Sequence, residues 1–206
     1  DQQEGLSKYI SEVVLKYKGQ KSIVYWQVEN EPLFKFGECP WYDEDFLKKE
    51  VALVKSLDPT RQIIVSDSGE WSLWLKAAKI GDIVGVTMYR KVWTNLFGDY
   101  GFYWTSVFPP ASYFNKAEIV NKLFGKRVIG VELQAEPWTV RPFYDVPLAE
   151  QEKTMNLEQF KKNIIFAKKT GFDTFYFWGV EWWYWLKEKH GNPEIWDEAR
   201  ILFQSD

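Results

Sequence analysis

Acidic residues gather in short clusters along this chain, and the clusters follow apolar runs. Glu29-Asn30-Glu31-Pro32 comes after SIVYWQV, Asp67-Ser68-Gly69-Glu70 closes QIIVSD, and Glu132-Leu133-Gln134-Ala135-Glu136 closes RVIGVEL. Trp178-Gly179-Val180-Glu181 follows in the same way on DTFYFW, while DIVGVTMY ends on Tyr89-Arg90. A carboxylate is costly to bury unless it is paired or neutralised. One such residue alone reads equally well as a solvated loop acid; several capping apolar segments point to a site. The second excess is aromatic: 12 Trp, 11 Tyr and 15 Phe make up 18% of the chain. Core packing accounts for about half of these, which leaves the remainder for ligand contact. Two carboxyl groups beside stacking aromatics are what glycoside hydrolysis requires. One group protonates the leaving oxygen, and the other attacks the anomeric carbon or activates water.

The elements that must position these residues are legible from periodicity. Leu6 to about Lys18 carries apolar residues at helical spacing and stops at Gly19. Ser22 to Val28 reads as a strand that is apolar on both faces, as in a parallel sheet covered by helices. The alternation then repeats, with a helix at Asp43 to Leu57 stopped by Asp58-Pro59, a strand at Gln62 to Asp67, a short helix at Trp71 to Ala78 and a strand at Asp82 to Tyr89. Beyond a long aromatic loop, Ala117 to Phe124 is helical, Arg127 to Leu133 is a strand, and Leu157 to Lys169 is a helix opened by an Asn156/Gln159 capping box. Asp173 to Gly179 is the last strand and Pro193 to Phe203 the last helix. Such alternation implies parallel βαβ units in a doubly wound sheet or a barrel. No G-x-G-x-x-G follows a strand, which disfavours a dinucleotide fold. There are about five strands, where a full barrel has eight, so a barrel would lack its first third; no linker divides the chain, and a single domain over residues 1–206 is expected.

The segment VYWQVENEP resembles the fourth barrel strand of clan A glycoside hydrolases, RVIGVELQAEPW resembles their seventh, and FYFWGVEWW their eighth. The order of these segments, and the spacing of about one hundred residues between Glu31 and Glu132, fit as well. The similarity is closest to cellulase-like family 5 and its neighbours. It implies an incomplete (β/α)8 TIM barrel holding about strands 4 to 8, and a retaining hydrolase in which Glu31 is the acid/base and Glu132 the nucleophile. Asn30 would bind the 2-hydroxyl of the reactive sugar, Tyr89 would hydrogen-bond the nucleophile, and Trp178 would form the sugar platform. Glu136 rivals Glu132, because strand periodicity puts both on one face. Glu29 rivals Glu31 and is otherwise its supporting neighbour. The family's first barrel strands supply an Arg and a His or Asn to support the two acids, and these have no counterpart here. The resemblance therefore implies a missing N-terminal barrel segment, or another chain, to complete the fold.

Trp71, Trp74, Trp93, Tyr100, Tyr103, Trp104 and Trp138 fall in loops beside the strand ends, and Trp104 and Trp138 are the expected substrate contacts among them. Arg90 and Arg141 could meet a charged sugar. A net charge of -3 argues against a nucleic-acid partner, and no apolar run reaches the roughly 18 residues of a membrane span. The single His190, in a KEKHGNP segment that reads as a solvated turn, supports neither a histidine metal site nor a Ser/His/Asp device. No metal or cofactor is expected, and Cys39 reads as a small apolar filler. The opening DQQEGLSKYI lacks the basic start and apolar core of a signal peptide; a polysaccharide substrate would favour an extracellular or cell-envelope location. The alternative from another class is a carbohydrate-binding barrel without turnover, whereas an α/β hydrolase fails for want of a G-x-S-x-G elbow.

Overall fold

A computed structural model of the chain describes residues 2–35, 41–94, 99–102 and 107–204, with the backbone alone at residues 94 and 99–102. The described chain divides into two compact units, residues 1–86 with 115–129 and residues 87–114 with 130–206.

The first unit opens with helix α1 (Gln2–Tyr17), whose Val14 is buried. Strand β1 (Tyr25–Gln27) is shorter than its apolar run. Helix α2 (Glu44–Leu57) begins where Asp43 accepts a hydrogen bond from the Phe46 amide at 2.9 Å and ends before Asp58-Pro59. Strand β2 (Gln62–Asp67) is buried on both faces after its first residue. Helix α3 (Leu75–Ile80) starts later than periodicity suggests, because Trp74 sits in the left-handed region at φ 64°. Strand β3 (Ile83–Met88) is buried throughout. At the base of β1 and β2, Arg61 reaches the carbonyls of Ile23, Lys18 and Gln20 while its Nη1 pairs with Asp58 at 2.5 Å. Hydrogen bonds from Thr60 and Trp26, joined by Arg61, hold the Asp58 carboxyl far below the usual carboxylate range.

The second unit contains an antiparallel hairpin, β4 (Lys91–Thr94) with β5 (Asp99–Phe102), paired from Lys91↔Phe102 to Thr94↔Asp99. The sequence reading has only a loop there. Helix α4 (Pro110–Phe124), which from residue 115 on belongs to the first unit, is longer than its apolar spacing indicates and starts on a proline, whose fixed φ suits a first turn. Strand β6 (Arg127–Gln134) leads to a 3-10 turn at Phe143–Asp145, helix α5 (Leu148–Gln151), helix α6 (Leu157–Lys168), strand β7 (Phe175–Trp178), helix α7 (Val180–His190) and helix α8 (Glu194–Phe203). Asn156 caps α6 through the Gln159 amide at 2.9 Å, the first half of the expected capping box. Helix α7 corrects the reading of His190 as a solvated turn. His190 is its last residue and lies against Trp185, the ring centres 4.3 Å apart and the planes inclined at 60°, and Gly191 in the left-handed conformation caps the end. Trp182, Trp183 and Leu186 of α7 join Met155, Phe160, Ile195 and Ala199 in a buried cluster.

The main sheet has the strand order β1-β2-β3-β6-β7, with β1/β2, β2/β3 and β6/β7 parallel. This overturns the expected incomplete TIM barrel. The α/β alternation is as read, but β1 and β7 stand at the two ends of an open five-stranded sheet. Closure demands a strand number, tilt and stagger that agree around a full ring. Local apolar patterning encodes parallel βα units and carries no information on closure.

Candidate active site

In the second unit, the chemistry is organised by β6. Glu132 is 7% exposed, and the Tyr89 phenol, one residue beyond β3, donates to its Oε2 at 2.7 Å. Trp138 meets the Tyr89 ring edge-on with the ring centres 5.0 Å apart, which restrains the phenol. Gln134, two residues beyond Glu132 on the same strand face, is fully buried. Its Oε1 accepts from the Arg90 amide at 2.8 Å and the Lys91 amide at 3.0 Å, and its Nε2 donates to the Lys91 carbonyl at 2.6 Å. One amide thus ties the segment carrying Tyr89 to the strand carrying Glu132. Behind it, Asn163 of α6 donates to the Gln134 carbonyl at 2.8 Å.

Glu136 and Trp178 form a second pair beside this one, with the indole Nε1 donating to Glu136 Oε1 at 2.8 Å. Burial pushes the Glu136 carboxyl above its ordinary value; the Trp178 hydrogen bond opposes this, and the Glu181 and Glu132 carboxylates add to it. Trp178 is 46% exposed, while its backbone carbonyl accepts from the Ala135 amide at 2.9 Å. Of the two arginines that could meet a charged sugar, Arg90 packs inward. It is buried, with its guanidinium 4.1 Å from the centre of the Phe166 ring. Arg141 is exposed.

In the first unit, β1 runs into Glu29-Asn30-Glu31. Glu29 (φ 60°) and Glu31 (φ 47°) occupy the left-handed region, which a non-glycine residue enters only when its surroundings demand it. Asn30 is exposed and Glu31 partly buried. The Glu31 amide donates to the buried Ser66 hydroxyl of β2 at 2.8 Å. Behind the turn lies Glu50 of α2, only 2% exposed, with its Oε1 lacking a hydrogen-bond partner. Burial, followed by the charge and hydrogen bond of Glu29 and the charge of Asp43, pushes the Glu50 carboxyl up to about 7.

Asp67 and Glu70 lie on a structural cluster instead. Asp67 is buried and bound by Ser72 and the Ser68 amide, and Lys116 reaches the Gly69 and Ser72 carbonyls with its ammonium 4.0 Å from the Trp74 ring centre. Trp74 is fully buried, hence core rather than subsite; Trp71 is 60% exposed. Trp104, Tyr103 and Cys39 lie outside the described residues. Of the expected site residues, the structure brings Glu132, Tyr89 and Trp138 together and joins Trp178 to the rival Glu136; Glu31 and Asn30 belong to the other unit. Gln134 and Ser66 escape the sequence reading. The one available signal is a polar residue inside an otherwise apolar strand. Among the described residues no group of three or more His, Cys, Asp or Glu could hold a metal ion, and no helix is long and apolar enough to cross a membrane.

No protein-family model matches the chain, and no curated protein matches it. Solved structures do. Bacteroides uniformis β-glucuronidase aligns with 85% of this chain and 21% of its own, at 17% identity and a TM-score of 0.51. Faecalibacterium prausnitzii β-glucuronidase aligns with 85% of this chain and 28% of its own, at 18% identity and a TM-score of 0.52. A GH2 β-galacturonidase from Eisenbergiella tayi, solved with galacturonate, gives 85% and 29%, 15% identity and 0.51. What is shared is a fold. The chain spans under a third of these relatives, and they are uronidases, which gives no support to a cellulase-like family 5 placement in particular.

Proposed function

We propose that this chain carries the catalytic residues of a retaining β-glycosidase, with Glu132 as nucleophile and Glu31 as general acid and base. The observation that carries the reading is the 2.7 Å hydrogen bond from Tyr89 to the buried Glu132 carboxyl. It fixes the direction of one carboxylate at a strand end and favours Glu132 over its rival Glu136, which accepts from the Trp178 indole. The fold shared with glycosidases agrees. In the first step Glu132 attacks the anomeric carbon, the glycosidic bond breaks, and the departing oxygen takes the Glu31 proton. In the second, Glu31 removes a proton from water as its oxygen attacks the same carbon, and the glycosyl–Glu132 ester opens. Asn30 binds the 2-hydroxyl, Trp178 carries the sugar, and Trp138 and Trp104 supply further contacts. No step calls for a metal or cofactor. A further segment or second chain covers the edge of β1, because a bare strand edge invites pairing. Sedimentation of this chain as a stable monomer without a partner would count against that cover.

The acids separate by product. With dinitrophenyl β-glycosides and azide, Glu31→Ala should yield the β-glycosyl azide, since the good leaving group needs no proton and azide replaces water. Glu132→Ala should yield α-azide, if any. The substrate panel includes the glucuronides and galacturonides named for the solved relatives as well as neutral sugars. β-Azide from Glu132→Ala would reverse the roles, and full activity in both variants would sink the reading.

A further inference from the structure

Trp178 poses a physical problem if it is to stack a sugar: an indole that is 46% exposed can swing about its χ angles, and ordering it on binding costs affinity. The structure addresses this at three points. The backbone of Trp178 is tied to β6 through the Ala135 amide, and in register it stands opposite Gln134. The ring edge is tied by its Nε1, which donates to Glu136 Oε1 at 2.8 Å. The next residue, Gly179, has φ 134° and passes so close to the chain after β6 that an added Cβ would lie 2.7 Å from Glu136 Cβ and 2.8 Å from the Ala135 carbonyl carbon and Glu136 nitrogen. Only glycine permits that approach, and the approach is what puts the Glu136 carboxyl within reach of the indole.

We infer that Glu136 is a positioning residue: with Gly179 it locks the Trp178 indole in one orientation before the sugar arrives. This rests on the platform reading of Trp178 given above, and it gives Glu136 a task other than that of nucleophile. A hydrogen bond to a charged acceptor is stronger than one to a neutral group. The lock should therefore be firmest with Glu136 ionised and weaken as it protonates. The charged groups acting on it are Glu132 on β6 and Glu181 on α7.

The indole N–H resonance of Trp178, assigned by its loss in Trp178→Phe, reads the lock directly in 1H–15N spectra of the full chain. We expect it to titrate with Glu136 in the native protein and to lose that titration in Glu136→Gln, which keeps an acceptor oxygen. In Glu136→Ala and in Gly179→Ala it should shift and broaden. With substrate, Glu136→Ala should raise KM about five- to tenfold, the size of one lost hydrogen bond, with kcat within about twofold; Glu136→Gln should restore most of the difference. An unmoved Trp178 resonance in Glu136→Ala would overturn the inference whether or not any sugar is turned over. Loss of kcat without a change in KM would overturn it in favour of a chemical role. A resonance that moves in a protein hydrolysing no glycoside would leave the lock standing and count against the glycosidase reading instead.

Discussion

The two proposed catalytic acids are held in opposite ways. Glu132 lies within the eight-residue strand β6, buried, its carboxyl fixed by a phenol and its strand tied to the Tyr89 segment by Gln134. Glu31 follows the three-residue strand β1 in a turn that places two non-glycine residues in the left-handed region, anchored through a backbone amide to Ser66. One acid is aimed by side-chain bonds on regular structure. The backbone of the other sits in a strained turn, at about 1–3 kcal/mol per residue. The contrast suits the division of labour, because a nucleophile must point at one carbon while an acid/base must first give and then take a proton.

The comparison breaks first at Tyr89. Tyr89→Phe should lower kcat/KM by about 10²-fold, the effect of losing one aimed donor, with the circular dichroism spectrum unchanged. Ser66→Ala, which removes an anchor of the Glu31 backbone and not of its carboxyl, should cost less than about tenfold. Equal effects would show that the acids are held alike. The next largest effect concerns the buried acid behind the Glu31 turn. Glu50, whose carboxyl titrates near 7 in the folded chain against an ordinary 4.5, keeps its proton on folding over that interval. Its contribution to stability should therefore fall as pH rises from about 4.5 to 7 and level off above, by about 2 kcal/mol. Urea unfolding of Glu50→Gln should lack that component, and identical pH profiles would remove Glu50 from the account. The smallest effect tests the strain itself. Glu29→Gly should leave stability unchanged or raise it by up to about 1 kcal/mol, because glycine enters the left-handed region freely. A clear loss would mean that the Glu29 side chain, not the backbone, holds the turn.

Much of the scaffold was readable because its causes are local. β2 and β3 are apolar runs of buried parallel strands, and the Asn156 cap sits one residue before its helix. Where one stretch served two purposes, local reading failed. VEWWYWLKEKH has bulky apolar residues on several sides and so shows no clear helical stripe, yet it forms α7 because Trp182, Trp183 and Leu186 find a core to enter. Trp74 read as a rim aromatic for the same reason: only the closeness of Lys116 and the packing around it put that ring in the interior.

By itself the sequence determined the strands of the main sheet, most helices, the Asn156 cap and the clustering of acids at strand ends, since each depends on neighbours within a few positions. Tertiary structure alone decided that the sheet stays open in the order β1-β2-β3-β6-β7, and that Tyr89 meets Glu132 across 43 positions of chain. It also joined Trp178 to Glu136 across 42. The reason is physical. A hydrogen bond between residues so far apart exists only after strand neighbours have been chosen, and that choice rests on which buried faces fit one another, a property no single segment carries.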